Sequence, residues 1–254
     1  MMTAKNFVPN CKDLLPKSAD EISWQRILAV GDIHGHFTKF MSLYEKINVI
    51  DDDLIIFLGD YIDRGPEVAE ILQWILTVKD KKNFIFLRGN HEDMMISSLR
   101  DKENWWRYSY GQVTLQSLKK WLTADPSAYE KVVHFITNLP LYHEMELGGR
   151  QYIFCHAGIE TGIPMREQSA EWLLWSRREF YDAYQGYAVV IVGHTPLQTL
   201  QEHFHLRKFI PFRVPHRNIL MIDTGSFIDK SYGFSEDGLI SCVNILTGEF
   251  WQSQ

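Results

Sequence analysis

An α/β fold with a parallel sheet is predicted by two patterns in the first third of the chain. Three β-rich apolar runs end at or beside a glycine, at residues 27–30, 54–58 and 84–87. Strands that alternate with helices predict a β-α-β-α-β unit over residues 27–92, with a parallel sheet. Apolar residues recur at helical spacing between the runs, at Phe37, Phe40, Met41, Tyr44 and Ile47 and at Val68, Ile71, Leu72, Ile75 and Val78.

An aromatic-rich segment from residue 93 to about residue 138 interrupts this series of strands. Its pattern predicts a helical insert or cap. The aromatic side chains are Trp105, Trp106, Tyr108, Tyr110 and Trp121. Packing in the core is the default interpretation for them, and a wall of an active-site cleft is the functional alternative.

The second half of the chain combines further short strands with one helical segment. Apolar runs at residues 152–154, 189–192, 219–222, 239–246 and 248–251 predict strands, and residues 171–184 predict a helical segment. Residues 1–20 are interpreted as an N-terminal extension or as an arm packed on the surface. No linker-like tract divides the remainder, so residues 21–254 are predicted to form a single domain.

Composition limits the classes of protein to which the chain can belong. Of its 254 residues, 45% are hydrophobic, which is ample for a packed core, and the net charge of −6 gives no general attraction for nucleic acid or acidic membranes. The N-terminus lacks the apolar core of a signal peptide, and no apolar run approaches the ~18–20 residues that span a bilayer. We therefore expect a cytoplasmic monomer that binds neither nucleic acid nor membrane.

The three cysteines, Cys11, Cys155 and Cys242, predict neither a disulfide framework nor a zinc site. None has an arginine six residues later, so the loop of a cysteine-nucleophile phosphatase is absent. Buried thiols are the expected state.

Five apolar runs share one feature, because each stops at a residue that can bind a divalent cation. Ligands gather beyond the carboxyl ends of strands in sheets with helical crossovers, so these side chains are expected to converge on one edge. A single Asp or Asn after a strand is more often a turn or helix cap. Repetition at successive strand ends instead favours a metal centre with carboxylate, amide and imidazole ligands. The candidates are Asp32, His34, Asp60, Asn90, His156 and His194.

A site for two metal ions needs an anionic bridge, because two bare dications repel each other. Asp60 is central in chain order and is assigned the bridge. Metal ions about 3.5–4 Å apart activate a shared water for displacement at phosphorus. Asp32 and His34 are expected to complete one site, and Asn90, His156 and His194 the other.

Phosphate binding requires cationic donors as well as metal ions. Arg64 follows Asp60 by four residues and can bind phosphoryl oxygens through its planar fork. Arg177 is a second candidate, although a surface helix charge or a partner for Glu171 or Glu179 is the simpler interpretation of the residues alone.

The leaving alkoxide needs a proton, and His91 is the candidate donor because it follows Asn90 directly and is not needed as a ligand. Asp63 could accept the other ring proton and hold the imidazole cationic and oriented. A loop imidazole that faces solvent is the alternative interpretation.

Together these motifs resemble the phosphoprotein phosphatases, the PPP family of metallophosphoesterases, and most of all its bacterial and lambda phosphatase-like serine/threonine phosphatases. The resemblance spans roughly residues 26–246. It implies a calcineurin-like metallophosphoesterase β-sandwich of two mixed sheets flanked by helices. The matching segments are Gly31-Asp32-Ile33-His34-Gly35, Gly59-Asp60, Asp63-Arg64-Gly65, Gly89-Asn90-His91-Glu92, His156-Ala157-Gly158 and Gly193-His194-Thr195.

The resemblance also implies roles for individual residues. Asp223-Thr224-Gly225 resembles a late strand end of the family, and the expected role is structural or the support of metal ligands from behind. Trp175-Ser176-Arg177 resembles the segment with the second phosphate-binding arginine. The implied set is Asp60 as bridge, His91 as general acid with Asp63 behind it, Arg64 and Arg177 on phosphate, and Asn90 on both metal and substrate.

Three functions remain open from the sequence. The first is a Ser/Thr protein phosphatase or broader phosphomonoesterase, in which a dimetal-bridging hydroxide attacks phosphorus directly. Its two metal ions would be manganese, with iron or zinc as alternatives, and its substrate a phosphorylated protein or small phosphoester. The second is a bis(5'-nucleosyl)-tetraphosphatase, against which Asp63, Glu92 and Thr195 argue. The third is a catalytically inactive binding module, which the complete ligand set disfavours.

Residues 203–217 hold Arg207, Lys208, Arg213 and Arg217 without any acidic residue. They are predicted to form a loop near the cleft mouth that attracts acidic substrates. The alternative is a hairpin whose charges merely solvate its tip.

Overall fold

The computed structural model describes residues 5–17, 23–101, 103–234 and 236–254. Within these residues, two β-sheets lie face to face and carry helices on their outer surfaces. The strands are β1 (Asn6–Phe7), β2 (Arg26–Val30), β3 (Asp53–Phe57), β4 (Phe84–Phe86), β5 (Tyr142–Leu147), β6 (Arg150–Cys155), β7 (Val189–Val192), β8 (Phe212–Arg213), β9 (Ile219–Met221), β10 (Ser241–Asn244) and β11 (Glu249–Gln252). The helices are α1 (Phe37–Ile47), α2 (Val68–Val78), α3 (Asn90–Arg100), α4 (Gly111–Ala124), α5 (Ser127–Thr137), α6 (Ala170–Trp175), α7 (Arg178–Tyr181) and α8 (Gln201–Phe204).

The six-stranded sheet has the strand order β1-β11-β10-β2-β3-β4. Strands β2, β3 and β4 are parallel, and α1 and α2 form the crossovers between them. Strand β10 pairs with β2 in the antiparallel direction, and β11 and β1 continue the sheet antiparallel. The β-α-β-α-β unit predicted over residues 27–92 is confirmed, and the C-terminal hairpin extends its sheet.

The five-stranded sheet has the order β5-β6-β7-β9-β8, in which β6, β7 and β9 are parallel and the two edge strands are antiparallel. Parallel strands place their carboxyl ends at a common edge. The residues that follow β6, β7 and β9 therefore emerge beside one another.

Alternate residues of the central strands face different apolar layers, as expected for a strand buried on both faces. In β2, Leu28 and Val30 belong to the layer beneath the helices, whereas Ile27 and Ala29 belong to the layer between the sheets. Full burial of a large apolar side chain contributes about 1.5–3 kcal/mol. The layer between the sheets therefore fixes the strand ends of both sheets relative to one another.

The insert predicted at about residues 93–138 contains α3, α4, α5 and a short 3-10 helix, Trp105–Tyr108. The helical segment predicted at residues 171–184 is divided into α6 and α7. Extended backbone at Ser176 (φ −61°, ψ 145°) ends the first of these helices. Strands β1, β5 and β8 were not predicted. Strands β1 and β8 have only two residues each. Strand β5 lies at a sheet edge and has a single buried residue, preceded by three half-buried and two exposed residues.

Residues 5–17 form an arm on the six-stranded sheet. Phe7 pairs with Glu249, and Val8, Cys11 and Leu14 enter the apolar layer between the sheets. The boundary predicted between residues 20 and 21 falls outside the described residues. None of the helices in the described part of the chain is long and apolar enough to cross a membrane.

Candidate metal centre and active site

Strand ends from both sheets meet at one edge and bring the six candidate ligands together. Asp60 lies at the centre, with Oδ2 3.4 Å from His34 Nε2 and Oδ1 3.4 Å from His156 Nε2. His156 Nε2 is also 2.9 Å from Asn90 Oδ1. Donor atoms of Asp32, Asp60 and His156 lie within 4.8 Å of one another. A single carboxylate thus faces both halves of the cluster, which is the geometry that a bridging ligand requires.

Backbone carbonyls orient two of the imidazoles. Nδ1 of His34 donates to the carbonyl of Ile62 at 2.9 Å, and Nδ1 of His156 donates to the carbonyl of Leu58 at 2.9 Å. Each ring therefore presents its Nε2 lone pair to the cluster, as metal-binding histidines do. Burial lowers the pKa of His34 to about 3, which favours the uncharged form that can coordinate a metal ion.

His194 joins the cluster through its other ring nitrogen. Its Nδ1 lies 3.1 Å from both Asn90 Oδ1 and His156 Nε2. Its backbone N–H donates to the Asp32 carboxylate at 3.1 Å, which ties the turn after β7 to the turn after β2. Burial and the neighbouring His156 hold the pKa of His194 well below its ordinary value, so this imidazole too is held uncharged.

Several buried carboxyl groups crowd this edge, so that their charged forms repel one another. Burial, and repulsion by Asp223 and Asp60, raise the pKa of Asp32 well above its ordinary value. Burial raises the pKa of Asp223 to about 7, and its Oδ2 has no hydrogen-bond partner among the described residues. Bound cations relieve such repulsion. Two carboxylates, one amide and three imidazoles fit divalent first-row metals, so the six candidate residues could hold two ions.

Glycine precedes two of the candidate ligands because a side chain there would collide with a carboxylate. A Cβ atom at Gly89 would overlap Oδ1 of Asp60, and a Cβ atom at Gly193 would overlap Oδ1 of Asp32. The glycines in these two motifs are therefore explained by the close approach of neighbouring turns.

The turns that carry the candidate residues are strained. Left-handed backbone at a residue other than glycine costs about 1–3 kcal/mol and concentrates at functional sites. Burial in the surrounding layers offsets this strain. The residues with φ between 49° and 68° include His34, Asp60, Asp63, Arg64 and His194.

Glu92 is completely buried and holds two of the ligand turns together. Its Oε2 accepts hydrogen bonds from the backbone N–H groups of Asp60 and Gly89, both at 2.9 Å, and its Oε1 accepts one from Tyr61 at 2.9 Å. This structural role of Glu92 was not predicted from the sequence. Its place as the third residue of α3, after a Gly N-cap, was a signal for such a capping bond.

His91 lies between Asp63 and the ligand cluster. Its Nδ1 is 2.6 Å from Asp63 Oδ2, and its Nε2 lies 4.0 Å from Asp60 Oδ2, close enough to group it with His34 and Asp60. Burial by itself lowers the pKa of His91, but the Asp60 carboxylate and the hydrogen bond with Asp63 outweigh burial and raise the pKa. Asp63 therefore holds the His91 ring through Nδ1, and Nε2 faces the cluster.

The helical insert supplies two further partners for Asp63, and neither was predicted from the sequence. Trp106 Nε1 donates to Asp63 Oδ2 at 2.7 Å, and the Thr114 hydroxyl donates to Asp63 Oδ1 at 2.5 Å. These partners lie 43 and 51 residues from Asp63 along the chain, so no motif spacing indicates them.

Two aromatic rings clamp the guanidinium of Arg64. Its Cζ lies 4.0 Å from the ring centre of Tyr110 and 4.8 Å from that of Phe227. The same rings contact the cluster, since Tyr110 lies 5.4 Å from His91 and Phe227 lies 5.1 Å from His34. Cation–π stacking of about 0.5–2 kcal/mol per ring fixes the plane of the guanidinium beside the candidate ligands.

Arg177 lies at the break between α6 and α7. Its Nη1 donates to the Thr195 hydroxyl at 3.1 Å, which places the guanidinium beside the His194 turn. Glu179 accepts the backbone N–H of Arg177, not its guanidinium. The guanidinium therefore contacts the turn that carries His194. Arg177 is exposed, as expected for a surface charge, but among the described residues it forms no ion pair with Glu171 or Glu179.

The prediction that residues 203–217 form a charged loop for substrate attraction is wrong for two of its cations. Arg213 donates to the carbonyl of Asn10 at 2.9 Å and pairs with Asp13 at 3.2 Å, so it holds the N-terminal arm. Arg217 donates to the carbonyl of Asp182 at 2.8 Å. Strand β8, which contains Arg213, pairs along the edge of the second sheet.

Comparison with known proteins identifies the class of protein that this fold and site define. The family model for calcineurin-like phosphoesterases matches residues 25–222, and the chain belongs to this family. It is a phosphoesterase, and therefore a hydrolase, with a metal-binding site. The fold class predicted from the resemblance, two mixed sheets flanked by helices, is confirmed.

Its relatives carry more than one activity in their names. Serine/threonine-protein phosphatase 2 of Salmonella typhimurium is 27% identical over 219 residues, which cover 83% of this chain and 92% of the relative. The asymmetrical bis(5'-nucleosyl)-tetraphosphatase PrpE of Anoxybacillus flavithermus is 24% identical over 197 residues, with coverage of 66% and 78%. A Saccharomyces cerevisiae protein serine/threonine phosphatase with similarity to human phosphatase PP5 shares the fold, with a TM-score of 0.56, 18% identity, and coverage of 89% of this chain and 74% of that one.

Proposed function

We propose that the chain is a metal-dependent phosphomonoesterase that acts as a Ser/Thr protein phosphatase. The observation that carries the proposal is the Asp63–His91 pair, whose free imidazole nitrogen faces the Asp60-centred cluster. A monoester with a poor leaving group, such as a serine or threonine side chain, needs a proton donor beside the phosphate. The similarity to the Salmonella phosphatase over most of both chains supports the same activity.

The proposed metal ligands are Asp32, His34, Asp60, Asn90, His156 and His194, with Asp60 shared. Two divalent ions, when bound, supply activated water and neutralise charge on the phosphoryl group. Manganese is proposed as the metal, with iron or zinc as alternatives, because mixed oxygen and imidazole donors suit all three.

Other residues act on the ester itself. Arg64, held flat between two rings, binds phosphoryl oxygens as a planar fork, and Arg177 binds them from the His194 side. The amide of Asn90 contributes to binding from within the cluster. His91 donates its Nε2 proton to the departing alkoxide while Asp63 retains the hydrogen bond to Nδ1.

A bis(5'-nucleosyl)-tetraphosphatase is the second candidate, and the similarity to PrpE over 66% of this chain supports it. A nucleotide leaving group has a low pKa and departs without a proton. Such an activity therefore gives no reason for a buried Asp63–His91 pair, and this favours the monoester.

A substrate panel separates the two candidates. With Mn²⁺, we expect a phosphothreonine peptide to be hydrolysed with a higher kcat/KM than diadenosine tetraphosphate, and a generic aryl phosphate to be hydrolysed as well. Chelation should abolish turnover and Mn²⁺ should restore it, because the described residues around the cluster offer no evident protein nucleophile. Faster hydrolysis of the tetraphosphate would support the second candidate, and full turnover after metal removal would exclude both.

Replacing Arg64 by Lys should raise KM for a phosphopeptide by about 10-fold or more, because an ammonium group cannot form the bidentate contact or stack between two rings. The metal content should not change. Lys5→Arg is a distant control, since Lys5 lies on the N-terminal arm and pairs with Glu249 of β11. Steady-state kinetics with matched metal analysis would test this, and an unchanged KM would remove Arg64 from the phosphate site.

A further inference from the structure

Asp63 is fully buried and accepts three hydrogen bonds from side chains. His91 Nδ1 at 2.6 Å and Trp106 Nε1 at 2.7 Å share Oδ2, and the Thr114 hydroxyl donates to Oδ1 at 2.5 Å. Thr114 Oγ1 also accepts the backbone N–H of Asp63 at 2.9 Å. These bonds fix both the rotation and the position of the carboxylate.

Both additional donors come from the helical insert and are themselves held rigidly. Trp106 is 1% exposed, and Thr114 is completely buried within α4. Gly111 lies against the indole so closely that a Cβ atom there would overlap the ring. The insert therefore brings two polar groups into an apolar environment with Asp63 as their acceptor, where each bond is stronger than in water.

We propose that Trp106 and Thr114 are positioning residues for proton transfer, because they hold Asp63 in the one orientation that aims His91 Nε2–H at the leaving oxygen. This inference rests on the proposed acid role of His91. In the proton transfer, the His91 Nε2–H bond breaks as an O–H bond forms on the leaving oxygen, which takes the electron pair of its bond to phosphorus. The oxygen of an attacking water forms the new bond to phosphorus, and that water loses a proton to solvent. Asp63 keeps its hydrogen bond with Nδ1 throughout, and solvent returns a proton to His91.

The alternative is a purely structural role, in which Asp63 merely satisfies buried donors of the insert. The two roles differ in their dependence on the leaving group. Loss of stability affects all substrates alike, whereas loss of acid alignment affects esters that need a proton. Phenyl phosphate needs protonation more than nitrophenyl phosphate, so the ratio of their kcat values reports alignment.

The test compares Trp106→Phe and Thr114→Val with Trp121→Phe and Thr123→Val, which make the same changes at two other positions of the insert, both on α4. A hydrogen bond to a charged group corresponds to on the order of a tenfold effect. Each of the first two variants should lower kcat for phenyl phosphate about tenfold more than for nitrophenyl phosphate, with unchanged KM and metal content. The two control variants should leave the ratio at the parent value.

Thr114→Ser retains the hydroxyl and should restore the parental ratio, which distinguishes lost alignment from lost packing. In a His91→Ala background, Trp106→Phe should have no further effect on kcat, since no acid remains to be aligned. An unchanged ratio in both Trp106→Phe and Thr114→Val would overturn the inference if His91→Ala itself discriminates between the substrates. If His91→Ala lowers kcat equally for both substrates, the acid role of His91 is contradicted, and the inference that rests on it is overturned with it. If Trp106→Phe unfolds, the Val and Ser variants of Thr114 decide the question.

Discussion

Replacing Asp60 by Asn should remove metal from both proposed sites at once and abolish most of the activity. The two carboxylate oxygens face His34 on one side and His156 on the other, so one neutral amide would weaken both halves of the cluster. Loss of an outer partner of a metal ligand already lowers metal affinity about 10–100-fold. We expect loss of the shared charge to exceed about 100-fold.

Metal analysis after dialysis measures this effect directly, and Asp93→Asn is a matched control. Asp93 lies on α3 near the same edge and pairs with Arg88 at 3.3 Å, outside the cluster. It should retain both ions and near-parental turnover. Two ions per chain in Asp60→Asn would show that the bridge lies elsewhere, and loss of metal in both variants would indicate a general effect of charge.

The ligand cluster was predictable because it depends on a local rule. Parallel strands place their carboxyl ends on one edge, and each candidate ligand follows a strand within a few residues. The glycines carry the same information, since Gly89 and Gly193 are required by the carboxylates Asp60 and Asp32 that approach them. The sequence therefore indicates both the candidate metal ligands and the positions where a neighbouring turn must lack a side chain.

The environment of Asp63 was not predictable, because it depends on packing between distant segments. Nothing about Trp106 or Thr114 distinguishes them from other aromatic and polar residues of the insert until the short 3-10 helix and α4 are placed against the Asp63 turn. Arg64 shows the same limit, since one of its two stacking rings comes from the insert and the other from the segment after β9.

Charge patterns in the sequence indicated where positive charge is concentrated, but not which groups the charged side chains contact. Residues 203–217 have the composition of an exposed basic loop, yet Arg213 and Arg217 bind carbonyl groups and a carboxylate of neighbouring segments. Arg177 is exposed, as the residues alone suggested, but its guanidinium contacts the His194 turn and not Glu171 or Glu179. A helix break at Ser176 redirects its side chain towards Thr195.

Replacing His91 by Ala should lower kcat by on the order of 10²–10⁴-fold, the usual contribution of a general acid, while both metal ions are retained. His91 Nε2 lies 4.0 Å from Asp60 Oδ2, whereas the proposed ligand nitrogens of His34 and His156 lie at 3.4 Å. Because Asp63 already occupies Nδ1 of His91, the ring has one nitrogen left for the ester.

The leaving group gives the decisive comparison for His91→Ala. A nitrophenolate departs with little help, so the loss should be smaller for nitrophenyl phosphate than for phenyl phosphate, and largest for a phosphoserine peptide. His203→Ala is the matched control, because His203 also pairs with a carboxylate, Asp182, at 2.8 Å but lies outside the cluster. Equal losses for all three substrates would contradict the acid role. Loss of one ion would instead make His91 a ligand, as its grouping with His34 and Asp60 permits.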